Sequence, residues 1–88
     1  MKALEDLLIF ATKTGNLKLV KLLHKSGCNI RVGNDRVLDL AAENGYLGVV
    51  KYLHENGVDL RAYKDYALRL AAGNDQHHIV KYIHEQVP

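Results

Sequence analysis

The chain repeats itself every 30 residues. Leu40-Ala41-Ala42-Glu43-Asn44 returns as Leu70-Ala71-Ala72-Gly73-Asn74. Val50-Lys51-Tyr52-Leu53-His54-Glu55 returns as Val80-Lys81-Tyr82-Ile83-His84-Glu85. The same frame reaches back, without insertion, to Phe10-Ala11-Thr12 and Val20-Lys21-Leu22-Leu23-His24-Lys25. A period of this size marks a stack of like supersecondary units, each burying its apolar face against the next. Such a stack offers a surface for binding rather than a pocket for chemistry.

The middle unit is the clearest. Val37, Leu38, Leu40, Ala41 and Ala42 form an apolar cluster over less than two helical turns. Asp35 stands where it can cap the start of that helix, as Asp65 can in the next unit. Gly45 stands where a left-handed residue would end it. Leu47, Val49, Val50 and Leu53 open a second helical pattern, with Lys51 and Glu55 on its solvent side, and Gly57 ends it. The unit therefore reads as helix, tight turn, helix and connector, over roughly 35–44, 46–56 and 57–64. A turn this short makes the two helices antiparallel, and the Ala-Ala pairs let them approach closely. Three such units, at roughly 1–30, 31–60 and 61–88, meet the minimum for a stable stack and make one all-α domain.

The ends differ from the middle. Leu7, Leu8, Ile9 and Phe10 make the first helix more apolar than its equivalents, with Ile9 standing where Asp39 and Arg69 stand. At the other end His77-His78 replace Leu47-Gly48, and Val87-Pro88 replace Gly57-Val58. His77 in place of a leucine reads as the polar outer face of a terminal cap. The cluster at Ile9 and Phe10 reads as an exposed end, open to self-association or to an upstream unit.

Charge and composition exclude several classes. The net charge is +2, and the thirds of the chain carry +3, −2 and +1 in order. No continuous basic stripe forms along such an array, so nucleic acid is not expected as a partner. No apolar run approaches the roughly 20 residues of a membrane span, and Met1-Lys2-Ala3-Leu4-Glu5-Asp6 lacks the pattern of a signal peptide. Cys28 is the single cysteine, and no asparagine sits in a glycosylation acceptor site. Both features fit a reducing intracellular, cytoplasmic location.

The residues that carry most chemistry all have plainer explanations. His24, His54 and His84 recur one unit apart, and stacked helices lie about 10 Å from each other. Zinc holds ligand nitrogens at about 2.0–2.1 Å, so these three cannot share one ion, and no metal or other cofactor is expected. They read instead as a half-exposed ladder on the second helices. Lys21, Lys51 and Lys81 form a second ladder, which reads as a solvated convex face. Ser26 is the only serine and sits at a helix end, while Cys28 takes the place of a small buried apolar residue. No constellation for nucleophilic catalysis or phosphate binding is present, so the chain reads as a non-enzyme.

The wording of the repeats resembles the ankyrin repeat over the whole chain. Leu-Ala-Ala-Glu-Asn-Gly at 40–45, Val-Val-Lys-Tyr-Leu at 49–53 and Gly-Val-Asp-Leu at 57–60 carry the likeness. The family's unit has about 33 residues against 30 here, and the alignment puts the missing residues in the connector. A shorter loop is therefore expected where the family has a β-hairpin finger. Short-loop repeats of this kind are similar to those of giant DNA virus ankyrin families, which would imply the host cytoplasm. The usual Thr-Pro-Leu-His start reads Arg36-Val37-Leu38-Asp39 and Tyr66-Ala67-Leu68-Arg69, and the connector asparagine reads Arg31 and Arg61.

What the resemblance implies is an ankyrin-type solenoid of three helix-turn-helix repeats that binds a partner protein. Family members bind through connector tips and the exposed side of the first helices, which form a concave face. Carried over by position, that face holds Arg36, Asp39, Glu43, Tyr63, Tyr66 and Arg69. Tyrosine is frequent in binding hot spots, and Tyr63 and Tyr66 replace Gly33 and Arg36, so the repeat itself does not dictate them. Packing of Tyr66 over the connector to cover Leu60 is the competing expectation, and Asp39 and Arg69 are placed to pair with each other. The alternative function is structural: a self-assembling unit, or a piece of a longer array, that associates through apolar ends at Leu7 to Phe10 and Ile79 to Ile83.

Overall fold

The computed structural model describes residues 2–86. The outermost residues of the first and last predicted units, Met1, Val87 and Pro88, lie outside the described residues, and with them the replacement of Gly57-Val58. Six helices are present and no strand occurs among the described residues. They are α1 (Lys2–Lys13), α2 (Leu17–Lys25), α3 (Val32–Asn44), α4 (Leu47–Glu55), α5 (Ala62–Gly73) and α6 (His77–Gln86). Each odd helix packs on the even helix that follows it. The odd helices α1, α3 and α5 form one row, and α2, α4 and α6 form the other. The result is the two-layered helix-turn-helix stack read from the sequence, measuring 34 × 22 × 19 Å.

The recurring apolar letters form one continuous core between the rows. Leu8, Ala11, Val20, Val37, Ala41, Ala42, Val50, Leu53, Ala71 and Ile79 are fully buried, and Ile83 is 1% exposed. Burying each leucine or isoleucine of this set contributes about 1.5–3 kcal/mol relative to exposure. Cys28 is buried in the same core, as its small apolar position implies. Ile79 and Ile83, expected as an apolar C-terminal end, instead turn inward. They lie four apart on α6, so both share the stripe that faces the stack. At the N-terminal end Leu8 is buried too, while Leu4, Leu7, Phe10 and Leu22 are exposed.

The turns inside the units explain two glycines. Gly15 and Gly45 are left-handed, with φ 69° and 77°. The next unit also lies against each of them. The Tyr46 ring fills the space where a Cβ of Gly15 would stand, and the Gln76 side chain fills that of Gly45. Each of these side chains then donates to the unit before it, Tyr46 Oη to Lys13 O at 3.0 Å and Gln76 Nε2 to Glu43 O at 3.1 Å. In the third unit Asp75 takes the left-handed position with φ 58°, and it is exposed.

The connectors depart from expectation. Gly33, Asn34 and Asp35 are all left-handed, with φ 65°, 58° and 67°. Tyr63, Lys64 and Asp65 repeat the turn with φ 56°, 55° and 63°. This single left-handed turn replaces the longer finger and delivers the chain into the right-handed part of α3 or α5. Neither aspartate caps its helix. The Arg31 guanidinium takes both Asp35 oxygens, Nε to Oδ1 at 2.7 Å and Nη2 to Oδ2 at 2.8 Å. Arg61 grips Asp65 in the same bidentate way. The arginine is itself set by an Asx turn, with Arg31 N donating to Asn29 Oδ1 and Arg61 N to Asp59 Oδ1, both at 2.9 Å. The reason is geometric: with three left-handed residues ahead of the helix, the carboxylate faces back across the turn and not onto the helix N–H groups.

Candidate functional site: the concave face

Arg36, Asp39 and Glu43 are three and seven residues apart on α3, so they share one helical stripe. Tyr66 and Arg69 occupy the same stripe of α5, and Asp6, Ile9 and Lys13 that of α1. Stacking sets the three stripes side by side. Two open grooves run between them. The first, of about 470 Å³, lies between α1 and α3 and is lined by Asp6, Ile9, Lys13, Gly33 and Arg36 among others. The second, of about 270 Å³, lies between α3 and α5 and is lined by Gly33, Arg36, Asp39, Leu40, Glu43, Tyr66 and Leu70. Arg36 and Gly33 belong to both, so the surface is continuous.

Four of the six expected residues thus line one groove, and Tyr63 and Arg69 are not among its lining residues. Tyr63 is on the connector, 54% exposed, and its hydroxyl donates to Asn34 Oδ1 of the neighbouring connector at 3.4 Å. Tyr66 is 42% exposed, and Leu60 is 1% exposed. Arg69 lies over the Tyr66 ring, 5.5 Å from its centroid. The expected Asp39–Arg69 pair is therefore replaced by a cation–π contact within α5. The two ion pairs among the described residues are those of the connectors, Arg31–Asp35 and Arg61–Asp65.

Asp39 is left in an unfavourable setting for a carboxylate. Burial raises its pKa to about 6, and the neighbouring charges of Asp35 and Glu43 push in the same direction. Asp65 moves the opposite way. The Arg61 hydrogen bond holds it below the usual carboxylate range, and Arg61 itself is raised by the same contact. The groove wall formed by α3 thus carries Asp39 and Glu43 beside Arg36, and neither carboxylate is ion-paired among the described residues.

A second arrangement, on the outer row, was not read from the sequence. His24 Nδ1 lies 2.6 Å from Tyr52 Oη, and His54 Nδ1 lies 2.9 Å from Tyr82 Oη. Each pair is edge-on, and Lys21 and Lys51 each stand 5.6 Å from the centroid of the same tyrosine ring. The histidine ladder and the lysine ladder thus meet on one tyrosine of the next unit. Burial raises the Tyr82 pKa, and Glu55 adds to the shift. The signal was present in the recurring Lys-Tyr-x-His spacing, but the bond joins residues 28 apart and not four apart. Its position between units gives it a structural task.

Among the described residues no group of three or more histidine, cysteine or acidic side chains is placed to hold a metal ion. No helix of the described residues is long and apolar enough to cross a membrane. No curated protein and no solved structure matches the chain. A family model described as ankyrin repeats (3 copies) matches residues 4–64, more than half of its length. With six helices in stacked antiparallel pairs and the matched motifs in one frame, the chain belongs to the ankyrin repeat family.

Proposed function

We propose that this chain is a non-enzymatic module that captures a protein partner on the concave face formed by the connectors and the odd helices. Ankyrin repeats are in general protein–protein interaction modules. The observation that carries the choice of face is where the repeat stops repeating. Ala11, Ala41 and Ala71 recur and are all fully buried. On the concave stripes the equivalents read Asp6, Arg36, Tyr66, then Ile9, Asp39, Arg69, then Lys13, Glu43, Gly73. Stacking constrains the first set, and solvent leaves the second free to serve a partner. Arg36, Asp39, Glu43, Tyr63, Tyr66 and Arg69 supply the contacts, with the two tyrosines as anchors.

The module spans residues 1–88 as one domain of three units. We place it in the cytoplasm, on the strength of its lone buried cysteine. The 30-residue period supports the likeness to giant-virus repeats, and with it the host cytoplasm. The test is capture from cell lysate by the parent chain beside a Tyr63→Ala, Tyr66→Ala, Arg69→Ala variant of equal helicity. A protein retained by the parent and lost by the variant is the expected result. Equal retention by both would reject this face.

A second reading has its own observation. Leu4, Leu7, Phe10 and Leu22 are 40%, 39%, 60% and 61% exposed on the N-terminal end of the stack. Self-association through that end predicts a mass that rises with concentration and a Phe10→Lys variant that stays monomeric.

A further inference from the structure

The groove between α3 and α5 has a chemistry that specifies one occupant. Its lining combines Leu40 and Leu70, the Tyr66 ring, and the carboxylates of Asp39 and Glu43 against the single cation of Arg36, which leaves it acidic. We infer that this groove receives a lysine or arginine side chain of the protein partner, the alkyl stem along Leu40 and Leu70 and the charged head between Asp39 and Glu43. The inference rests on the reading of the concave face as the docking surface, and it fixes the chemistry of one contact there.

Charge complementarity comes first. Asp39 and Glu43 are four apart on α3 and carry like charge on one wall. Arg36, three residues before Asp39, also lines the groove, and among the described residues it makes no ion pair with either carboxylate. Arg69 lies on the Tyr66 ring, and the ion pairs among the described residues engage only Arg31 and Arg61. Burial and like charge make Asp39 a poor acid in the free chain. An incoming cation relieves that unfavourable interaction as well as forming its own hydrogen bonds.

Size and composition narrow the cation to a side chain. Hard divalent ions take about six to eight oxygen ligands, and no group of three candidate ligands exists among the described residues. At about 270 Å³ the groove falls below the roughly 300–1,000 Å³ typical of small-molecule sites. A long cationic side chain matches a groove that sets Leu40, Leu70 and the Tyr66 ring beside two carboxylates. The neighbouring groove differs in charge, because Lys13 and Arg36 there balance Glu5 and Asp6. The basic residue of the partner is thereby held in register over the second and third units.

The probes are N-acetyl-lysine methylamide and N-acetyl-norleucine methylamide, which differ in the charged head. Each is titrated into the intact 15N-labelled chain at neutral pH and followed by amide shifts. The lysine probe is expected to shift amides within 36–43 and 66–70 at millimolar concentration, and the norleucine probe to bind several-fold more weakly. Asp39→Asn and Glu43→Gln, checked for unchanged helicity, should each weaken the lysine probe about fivefold. Equal binding of both probes, shifts confined to other regions, no shift with the lysine probe, or equal shifts with calcium chloride would overturn the inference. A partner that needs Tyr63 and Tyr66 but ignores Asp39→Asn and Glu43→Gln would overturn this inference alone. A partner indifferent to Tyr63, Tyr66 and Arg69 would instead reject the concave-face reading.

Discussion

The connectors that lead into the second and third units share a backbone and differ in two of the three residues it holds left-handed. Both run through three left-handed residues. The second spends a glycine, an asparagine and an aspartate there, the types that tolerate that conformation best. The third places Tyr63 and Lys64 in the same wells, at a cost on the order of 1 kcal/mol each. The clamps differ as well. The Asp35 side chain is 2% exposed beneath Arg31, whereas the Asp65 side chain is 29% exposed beneath Arg61. The middle connector is built for packing. The outer one accepts strain and carries an exposed aromatic ring at its tip.

The largest effect should come from breaking the two clamps in turn. Arg31→Ala leaves a buried carboxylate without its partner, so melting temperature should fall by about 10 °C or more. Arg61→Ala frees a carboxylate that water can reach, and a fall of less than about 3 °C is expected. Similar losses for both variants would mean that the two connectors are not distinct in the way described.

A smaller effect should follow from importing the outer residue into the inner turn. Gly33→Tyr gives the second connector the residue of the third. A Cβ at Gly33 would stand 3.3 Å from the Arg36 Cβ, in a backbone with φ 65°. Destabilisation of about 1–2 kcal/mol in urea titration is expected. An unchanged midpoint would show that this turn carries no strain.

The smallest effect concerns the groove beside the connectors. Asp39 has a folded pKa of about 6, above the ordinary aspartate value of 3.8. Its protonated form therefore favours the fold at acidic pH, and that contribution is lost as pH rises through about 6. Asp39→Asn should stabilise the chain by about 1 kcal/mol at pH 7.5, after allowance for solvent screening of a half-buried carboxylate. The gain should fade as pH drops from 6 towards 4. A gain that persists at pH 4 would assign the effect to something other than ionisation.

Much of this was legible in the residues. The 30-residue period gave the helix pairs, their order and the shared core, because each buried letter recurs at the same place. Gly45 was readable as a left-handed cap, and the residues of the concave stripe came from the ankyrin resemblance, carried over by position. The connectors were less legible. A one-turn left-handed reversal carries no hydrophobic period, so Asp35 looked like a cap when its partner was Arg31, four residues back across the turn. The Asp39–Arg69 pairing failed for a related reason. Residues one unit apart compete with neighbours on their own helix, and Tyr66 lies only three positions from Arg69. Ile79 and Ile83 were assigned to an open end because their unit is the last one. The packing of α6 against α4 and α5 buries them all the same.

On the proposed function, the third connector keeps its strain in order to display Tyr63. One paired measurement on Tyr63→Gly tests it, combining a urea unfolding midpoint with capture of the partner retained by the parent chain. The expected variant is more stable by about 1 kcal/mol, through relief of a left-handed tyrosine, with capture weakened about tenfold or more. A variant that is less stable, or one that gains stability and captures its partner as well as the parent, would contradict it.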